Sequence, residues 1–209
     1  SRGLGDVYKR QIHSILNVWF GGSEAGDAIA DVLFGKVNPS GKLTTSFPRS
    51  VGQLPLYYNS HNTSRPDPDK NVFNRYTSNY LEDSNEPLYP FGYGLSYTHF
   101  QYDNMVLSSN VLKKGEKLTV SVIVTNKGNY DGCEVVQLYL HDIYADVVRP
   151  VKELKDFKRI FLKKGESREV RFVITEEDLK FYNSNLQYIY ETGDFEVMVG
   201  TNSRDVQSK

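Results

Sequence analysis

The second half of the chain alternates apolar and polar residues with a period of two. Four segments place an apolar side chain at every second position: 118–124, 136–140, 170–174 and 195–199. This period is typical of strands that bury one face. Glycine-containing turn segments separate them, including KKGE at 113–116 and again at 163–166. About seven short strands in roughly 110 residues, without a long helix, predict an immunoglobulin-like β-sandwich.

The first part of the chain has a different pattern. Residues 12–20 form a nearly continuous apolar run, which predicts a short strand buried on both faces. Ser23 is a candidate N-cap, and apolar residues then recur at helical spacing up to Gly35, where we expect the helix to end. NPSG at 38–41 predicts a type I turn, followed by a short strand at 42–47. We interpret the strand, turn and helix as the tail of a larger α/β domain.

An irregular segment separates these two patterns. Residues 52–90 contain five of the eight prolines and many Asn, Ser and Tyr residues, which predicts a long loop region. The stretch PFGYGLSYT at 90–98 combines two glycines with three aromatic rings. We interpret 90–98 as the joint between the two parts, because glycine lets backbone segments approach closely and aromatic rings pack well at such contacts.

Charge and cysteine content exclude several classes of function. The chain has 25 Lys and Arg residues against 26 Asp and Glu residues, which does not favour nucleic acid or a membrane surface as a partner. No apolar run approaches the roughly 20 residues of a membrane-spanning helix, and the start of the chain has no signal-peptide pattern. Cys133 is the single cysteine, so the chain cannot form an internal disulfide.

Motifs for cofactors, metals and nucleophilic catalysis are incomplete in this sequence. Gly92-Tyr93-Gly94 lacks the third glycine of a dinucleotide-binding turn, and the four histidines are scattered without metal-ligand spacing. DPDKN at 67–71 lacks the glycine and the glutamate of a calcium loop. These motifs therefore support no cofactor, no metal site and no serine or cysteine nucleophile, whereas a pair of carboxylates such as Asp27 and Asp31 stays open as a catalytic pair, with a solvated helix face as the simpler interpretation.

Four residues are candidates for substrate binding. The Trp19 indole could stack on a sugar ring, although core packing explains it equally well. Glu24 follows the predicted strand, where ligands bind in α/β sheets, or it is simply a charge at a helix start. Arg75 and Tyr76 lie in a loop, 57–80, whose rings and hydrogen-bond donors are typical of carbohydrate contacts and of protein contacts alike.

Several stretches together resemble the C-terminal part of a glycoside hydrolase family 3 enzyme of the bacterial periplasmic β-glucosidase type. The matching stretches are WFGGSEAGDAIADVLFGKVNPSGKLTTSFPRSVGQLPLYYN, YTSNYLEDSNEPLYPFGYGLSYTHF, RPVKELKDFKRIFLKKGESREVRFVI and GDFEVMVGTNS. The resemblance implies a parent with a (β/α)8-like barrel carrying an aspartate nucleophile, an α/β sandwich domain carrying a glutamate acid/base, and a fibronectin type III-like domain. Such enzymes hydrolyse terminal non-reducing β-D-glucosyl residues with retention and need no cofactor. Neither catalytic position maps onto this sequence.

The first eleven residues have neither helical nor strand period, and we interpret 1–11 as a foreign junction. The resemblance divides the rest of the chain into three parts: the C-terminal tail of an α/β sandwich domain at 12–60, a connecting segment at 61–98, and a fibronectin type III-like domain at 99–209. The fold class is therefore mainly β, a sandwich preceded by a truncated α/β tail.

The same resemblance sets the expected function, partners and location. The chain would be a structural C-terminal fragment of a retaining exo-acting β-glycosidase, inactive alone, that helps to shape the substrate entrance. Its partners would be a β-linked oligosaccharide or glucoside and the missing N-terminal barrel, with a homodimer left open, in the periplasm or secreted from bacteria. The alternative is a non-catalytic β-sandwich module that binds carbohydrate or protein.

Overall fold

The computed structural model describes residues 12–66, 75–80 and 84–208. The predicted foreign junction at 1–11 lies outside these residues. The described part contains one α-helix and two short 3-10 helices, Val51–Gln53 and Glu176–Leu179. The remaining regular elements are α1 (Ala25–Leu33), β1 (Phe100–Leu107), β2 (Leu118–Asn126), β3 (Gly132–Asp142), β4 (Glu153–Leu162), β5 (Ser167–Ile174), β6 (Phe181–Tyr182), β7 (Tyr188–Ile189), β8 (Phe195–Gly200) and β9 (Val206–Ser208).

The strands form the predicted sandwich. One sheet has the order β1-β2-β5, the other has the order β4-β3-β8-β9, and β6 pairs with β7 in a small hairpin. The pairings between strands are antiparallel. Because side chains alternate between the two faces of a strand, the apolar set of each strand points into the space between the sheets. That core comprises Met105, Leu118, Val120, Val122, Val124, Val136, Leu138, Leu140, Leu162, Val170, Phe172, Ile174, Val197 and Val199.

A bulge in β1 adds a core residue that the alternation did not predict. The register of β1 against β2 shifts between Asp103 and Val106, and Asn104 has a φ of +53°. Asparagine tolerates this left-handed conformation better than most residues do. The extra residue in the bulge places the Met105 side chain in the core of the sandwich.

The predicted helix is confirmed, but its cap and the preceding strand are wrong. α1 ends before Gly35, whose φ of +74° suits glycine, whereas its N-cap is Glu24 and not Ser23. Residues 12–20 form no strand and are exposed, with Phe20 97% accessible. A strand buried on both faces needs hydrogen-bonded neighbours and two covering layers, and the described residues provide neither for this segment.

The predicted turn at 38–41 and the strand at 42–47 are also absent. No turn is formed at 38–41, and the residues after it contribute only an isolated bridge between Phe47 and Tyr89. Long-range contacts replace the local structure, because Leu43 exchanges backbone hydrogen bonds with the 90–98 stretch at 2.8 Å, donating to the Tyr93 carbonyl and accepting from the Gly92 amide. Among the described residues, no helix is long and apolar enough to cross a bilayer.

Candidate functional site

The 90–98 stretch packs on the outer face of β3, centred on Gln137. The Gln137 amide donates hydrogen bonds to the carbonyls of Gly92 (3.2 Å) and Thr201 (2.7 Å), and it accepts one from the Tyr139 hydroxyl. Gly92 has a φ of +79°, and a Cβ at this position would lie 2.1 Å from Gln137 Oε1. Both the backbone conformation and the close approach therefore require glycine here.

An aromatic stack joins the irregular segment to the same face of β3. The Tyr58 ring stacks on Phe91 with centroids 4.1 Å apart and meets the buried Tyr139 ring edge-on at 6.1 Å. The Tyr58 hydroxyl also accepts a hydrogen bond of 3.3 Å from the Leu154 amide in β4. Burial raises the pKa of Tyr139 above its ordinary value, so its hydroxyl remains a neutral donor at physiological pH.

A buried ion pair connects the segment after α1 to one end of the sandwich core. Lys42 Nζ lies 3.1 Å from Glu134 Oε1, and the two side chains are 12% and 4% exposed. Lys42 also donates to the Gly94 carbonyl at 3.1 Å, and the Tyr102 hydroxyl donates to Glu134 at 3.1 Å. Burial raises the pKa of Glu134 and outweighs the opposing effect of the Lys42 ammonium.

Two further hydrogen-bonding side chains link α1 to the sandwich. Tyr97 donates from its hydroxyl to the Val32 carbonyl in α1 at 2.8 Å, and its amide donates to Asn38 Oδ1 at 2.8 Å. The amide nitrogen of Asn38 donates to the Asp131 carbonyl, just before β3, at 2.9 Å. The 90–98 stretch therefore makes specific polar contacts with α1, with the segment after it and with β3.

A groove of about 570 Å³ lies between loop 55–66 and the edge of the sandwich. Backbone contacts hold this loop against the sandwich, because the Val151 amide donates to the Ser60 carbonyl at 2.9 Å and His61 forms an antiparallel bridge with Pro150. The lining residues are mostly aromatic, proline or neutral and polar: Ser46, Pro55, Leu56, Tyr57, Tyr58, Ser60, His61, Asn62, Thr63, Pro66, Ser78, Tyr80, Asn85, Glu86, Pro87, Pro90, Val151, Lys152, Ser203 and Arg204.

None of the four residues predicted to bind substrate lines this groove. Trp19 is exposed, with its ring centroid 6.2 Å from that of Phe47. Glu24 is exposed at the N-cap of α1, where its side chain makes no capping hydrogen bond. Arg75 and Tyr76 are exposed in a turn. Substrate contact by these four residues stays a prediction.

Sequence reasoning missed the buried polar residues that organise these contacts. Gln53 is completely buried, and its side chain donates to the Ser84 carbonyl at 2.6 Å and accepts from the Arg49 amide. No local pattern marks Gln53. Glu134 does have a signal, because it shares the inward-facing positions of β3 with Val136. Among the described residues, no group of His, Cys, Asp and Glu side chains could hold a metal ion.

Two family models match the chain. Residues 4–97 match the glycosyl hydrolase family 3 C-terminal domain, and residues 134–203 match the fibronectin type III-like domain. The first match includes most of the stretch at 1–11.

Individual relatives match both parts of the chain. A periplasmic beta-glucosidase of Salmonella typhimurium is 52% identical over 95% of this chain and 26% of its own length. A beta-xylosidase of Formosa agariphila is 46% identical over 92% of this chain and 26% of its own. The structure of beta-glucosidase from Listeria innocua in complex with glucose superposes with a TM-score of 0.87 at 47% identity, covering 92% of this chain and 27% of that one. The chain thus spans about a quarter of the length of these relatives.

Proposed function

Because this chain belongs to glycoside hydrolase family 3 and matches the C-terminal part of its members, we propose that it serves a retaining, exo-acting β-glycosidase. The substrate would be a β-linked oligosaccharide or glucoside, cleaved at its terminal non-reducing β-D-glucosyl residue. Both catalytic carboxylates would lie outside this chain, on a barrel and on the earlier part of an α/β domain. The observation that carries the proposal is that one chain matches both C-terminal domains of the family and joins them through a buried, specific contact.

Within such an enzyme, this part would act as a scaffold. The Lys42–Glu134 pair and the Gly92–Gln137 contact hold the segment after α1 in one orientation on the sandwich. We propose domain boundaries of 12–60 for the α/β tail, 61–98 for the connection and 99–209 for the sandwich. We place the enzyme in the periplasm, in line with the name of the Salmonella relative, or outside the cell, and we keep a homodimer as its candidate assembly.

A chimeric enzyme tests this proposal. The matching C-terminal part of the Salmonella β-glucosidase is replaced by residues 12–209 of this chain, and hydrolysis of aryl β-glucosides and aryl β-xylosides is measured beside the 209-residue chain alone. We expect the chimera to hydrolyse β-glucosides with retention and the chain alone to be inactive. Activity in the chain alone would contradict the placement of the carboxylates. A folded chimera without activity, together with saccharide binding by the chain alone, would favour the binding-module alternative.

The chimera also tests whether loop 57–80 shapes the substrate entrance. Arg75 and Tyr76 are exposed and carry groups that could contact the second sugar of a substrate. Replacing both by alanine is expected to raise KM for β-linked disaccharides by about tenfold, the equivalent of 1.4 kcal/mol, with little change for an aryl glucoside. The same experiment with Trp19→Ala and Glu24→Gln tests the other two candidates. Unchanged disaccharide kinetics would remove each residue from the substrate site.

A further inference from the structure

The groove beside loop 55–66 has the size and shape of a small-ligand site. Its volume of about 570 Å³ is within the range of roughly 300–1,000 Å³ that is usual for such sites. Its lining comes from the loop, from Ser46 and the irregular segment 78–90, and from the sandwich residues Val151, Lys152, Ser203 and Arg204. The groove is therefore formed only when the loop is docked on the sandwich.

The contacts of Tyr58 fix the position of the loop wall. Its ring is held between Phe91 and Tyr139, and its hydroxyl is bonded to the Leu154 amide. The neighbouring Tyr57 lines the groove and is 66% exposed. A fixed loop that presents an exposed ring is a preorganised surface, which loses little conformational entropy when a ligand binds.

The chemistry of the lining favours a neutral ligand with many hydroxyl groups. Ser60, Asn62 and Thr63 are exposed on the loop and offer both hydrogen-bond donors and acceptors. The charged lining residues carry both signs, Lys152 and Arg204 against Glu86, and Lys152 Nζ donates to the Ser203 carbonyl at 2.6 Å. The aromatic face of a tyrosine suits the C–H face of a sugar ring, whereas a free anion would need unpaired cations.

We propose that this groove binds a neutral saccharide, with the Tyr57 ring as its stacking platform. The choice of a β-linked gluco-oligosaccharide as ligand rests on the proposed function. The sandwich then contributes part of the lining of a ligand site in addition to its role as a scaffold. A proline-rich peptide is the competing ligand, because aromatic-lined grooves also take polyproline helices.

Binding is measured directly, without hydrolysis. The full 209-residue chain is fused to thioredoxin, which offsets the exposed apolar run at 12–20, and titrated with cellotetraose by saturation-transfer NMR and calorimetry. We expect millimolar binding, a rise in Kd of about tenfold for Tyr57→Ala, and a change of less than about twofold for Tyr57→Phe, which keeps the ring. Tyr130→Ala is the matched control, because Tyr130 is 62% exposed and does not line the groove. We expect this control to bind as the unchanged chain does.

Three results would overturn the proposal. They are no cellotetraose binding by a cooperatively folded fusion, equal loss for Tyr57→Ala and Tyr130→Ala, and tighter binding of decaproline than of cellotetraose. If the fusion does not fold, the same variants are compared in the chimera. There Tyr57→Ala should raise KM for cellotetraose more than KM for an aryl glucoside. Equal effects on the two KM values would overturn the proposal. An active chimera whose groove binds no saccharide refutes this inference alone, whereas a folded, inactive chimera that binds cellotetraose refutes the proposed function alone.

Discussion

Replacing Lys42 by methionine removes the cation beside the buried Glu134 carboxylate. The ammonium lies 3.1 and 3.4 Å from the two carboxylate oxygens. At an effective dielectric constant of about 20, the attraction at 3.1 Å is about 5 kcal/mol. Methionine keeps an unbranched apolar stem, so the packing changes little while the charge and the hydrogen bond to the Gly94 carbonyl are lost.

Protonation of Glu134 limits how much this substitution destabilises the fold. Each pH unit above the ordinary glutamate value of 4.5 makes protonation about 1.36 kcal/mol more costly. The limit is therefore about 3.4 kcal/mol at pH 7 and about 0.7 kcal/mol at pH 5. Burial already raises the pKa of Glu134 when Lys42 is present, so the unchanged protein already carries part of this cost. The difference between the variant and the unchanged protein is therefore smaller than the limit. We expect the loss that depends on the Glu134 charge to stay below about 3.4 kcal/mol at pH 7 and below about 0.7 kcal/mol at pH 5. The lost hydrogen bond to the Gly94 carbonyl should add about 1 kcal/mol at either pH.

The direction of the pH dependence follows from proton binding. The substitution raises the folded-state pKa of Glu134 further above its unfolded value. Between these two values the folded state binds more protons than the unfolded state, so the free energy of unfolding falls as pH rises. The stability that protonation of Glu134 contributes is fully present below its unfolded-state pKa, and it is lost as pH rises through its folded-state pKa. The Lys42→Met variant should therefore resemble the unchanged protein most closely in acid and differ most at pH 7 to 8.

Urea unfolding of the full chain, followed by circular dichroism at pH 5 and pH 7, measures this difference. Lys36→Met is the matched control, because Lys36 pairs with Asp31 at 2.9 Å with side chains 75% and 37% exposed, and it should cost less than about 0.5 kcal/mol at either pH. Adding Glu134→Gln to Lys42→Met should abolish the pH dependence that Lys42→Met adds to the free energy of unfolding. An equal loss at both pH values, or a loss at pH 7 no larger than that of the Lys36→Met control, would refute the role of the buried charge.

Two other contacts give simpler predictions. Gly92→Ala places a Cβ 2.1 Å from Gln137 at a φ of +79°, and it should lower the free energy of unfolding by about 3 kcal/mol. Gly115→Ala has a similar φ of +78° but open space around the Cβ, and it should lower the free energy of unfolding by only about 1 kcal/mol. Thermal unfolding of both variants checks the difference, and equal values would mean that the close approach is relieved. Gln53→Leu leaves buried backbone groups unpaired and should cost about 2 kcal/mol, with faster proteolysis near residue 84; an unchanged cleavage rate would contradict the role of Gln53 in holding this loop.

The sandwich was predictable because each strand carries its own signal. The alternation in β2 and β5 places Val120 and Phe172 on the buried face, and the structure pairs these two residues across the sheet. The period of α1 and its end at Gly35 are equally local. Glu134 in β3 could have been flagged as an inward-facing charge, but its partner could not, because nothing near Lys42 in the sequence points to a residue 92 positions away.

Local sequence therefore determined α1, the main strands of the sandwich, their buried faces and the class of the fold, because hydrophobic period and glycine conformation act over a few residues. Tertiary structure alone decided what the irregular segments do. Asn38 reads as a turn residue, yet its side chain bonds to Asp131 and to Tyr97. Residues 12–20 read as a buried strand, yet they are exposed. In both cases the free energy depends on which distant groups are available to pair with or cover the segment, and a one-dimensional pattern does not contain that information.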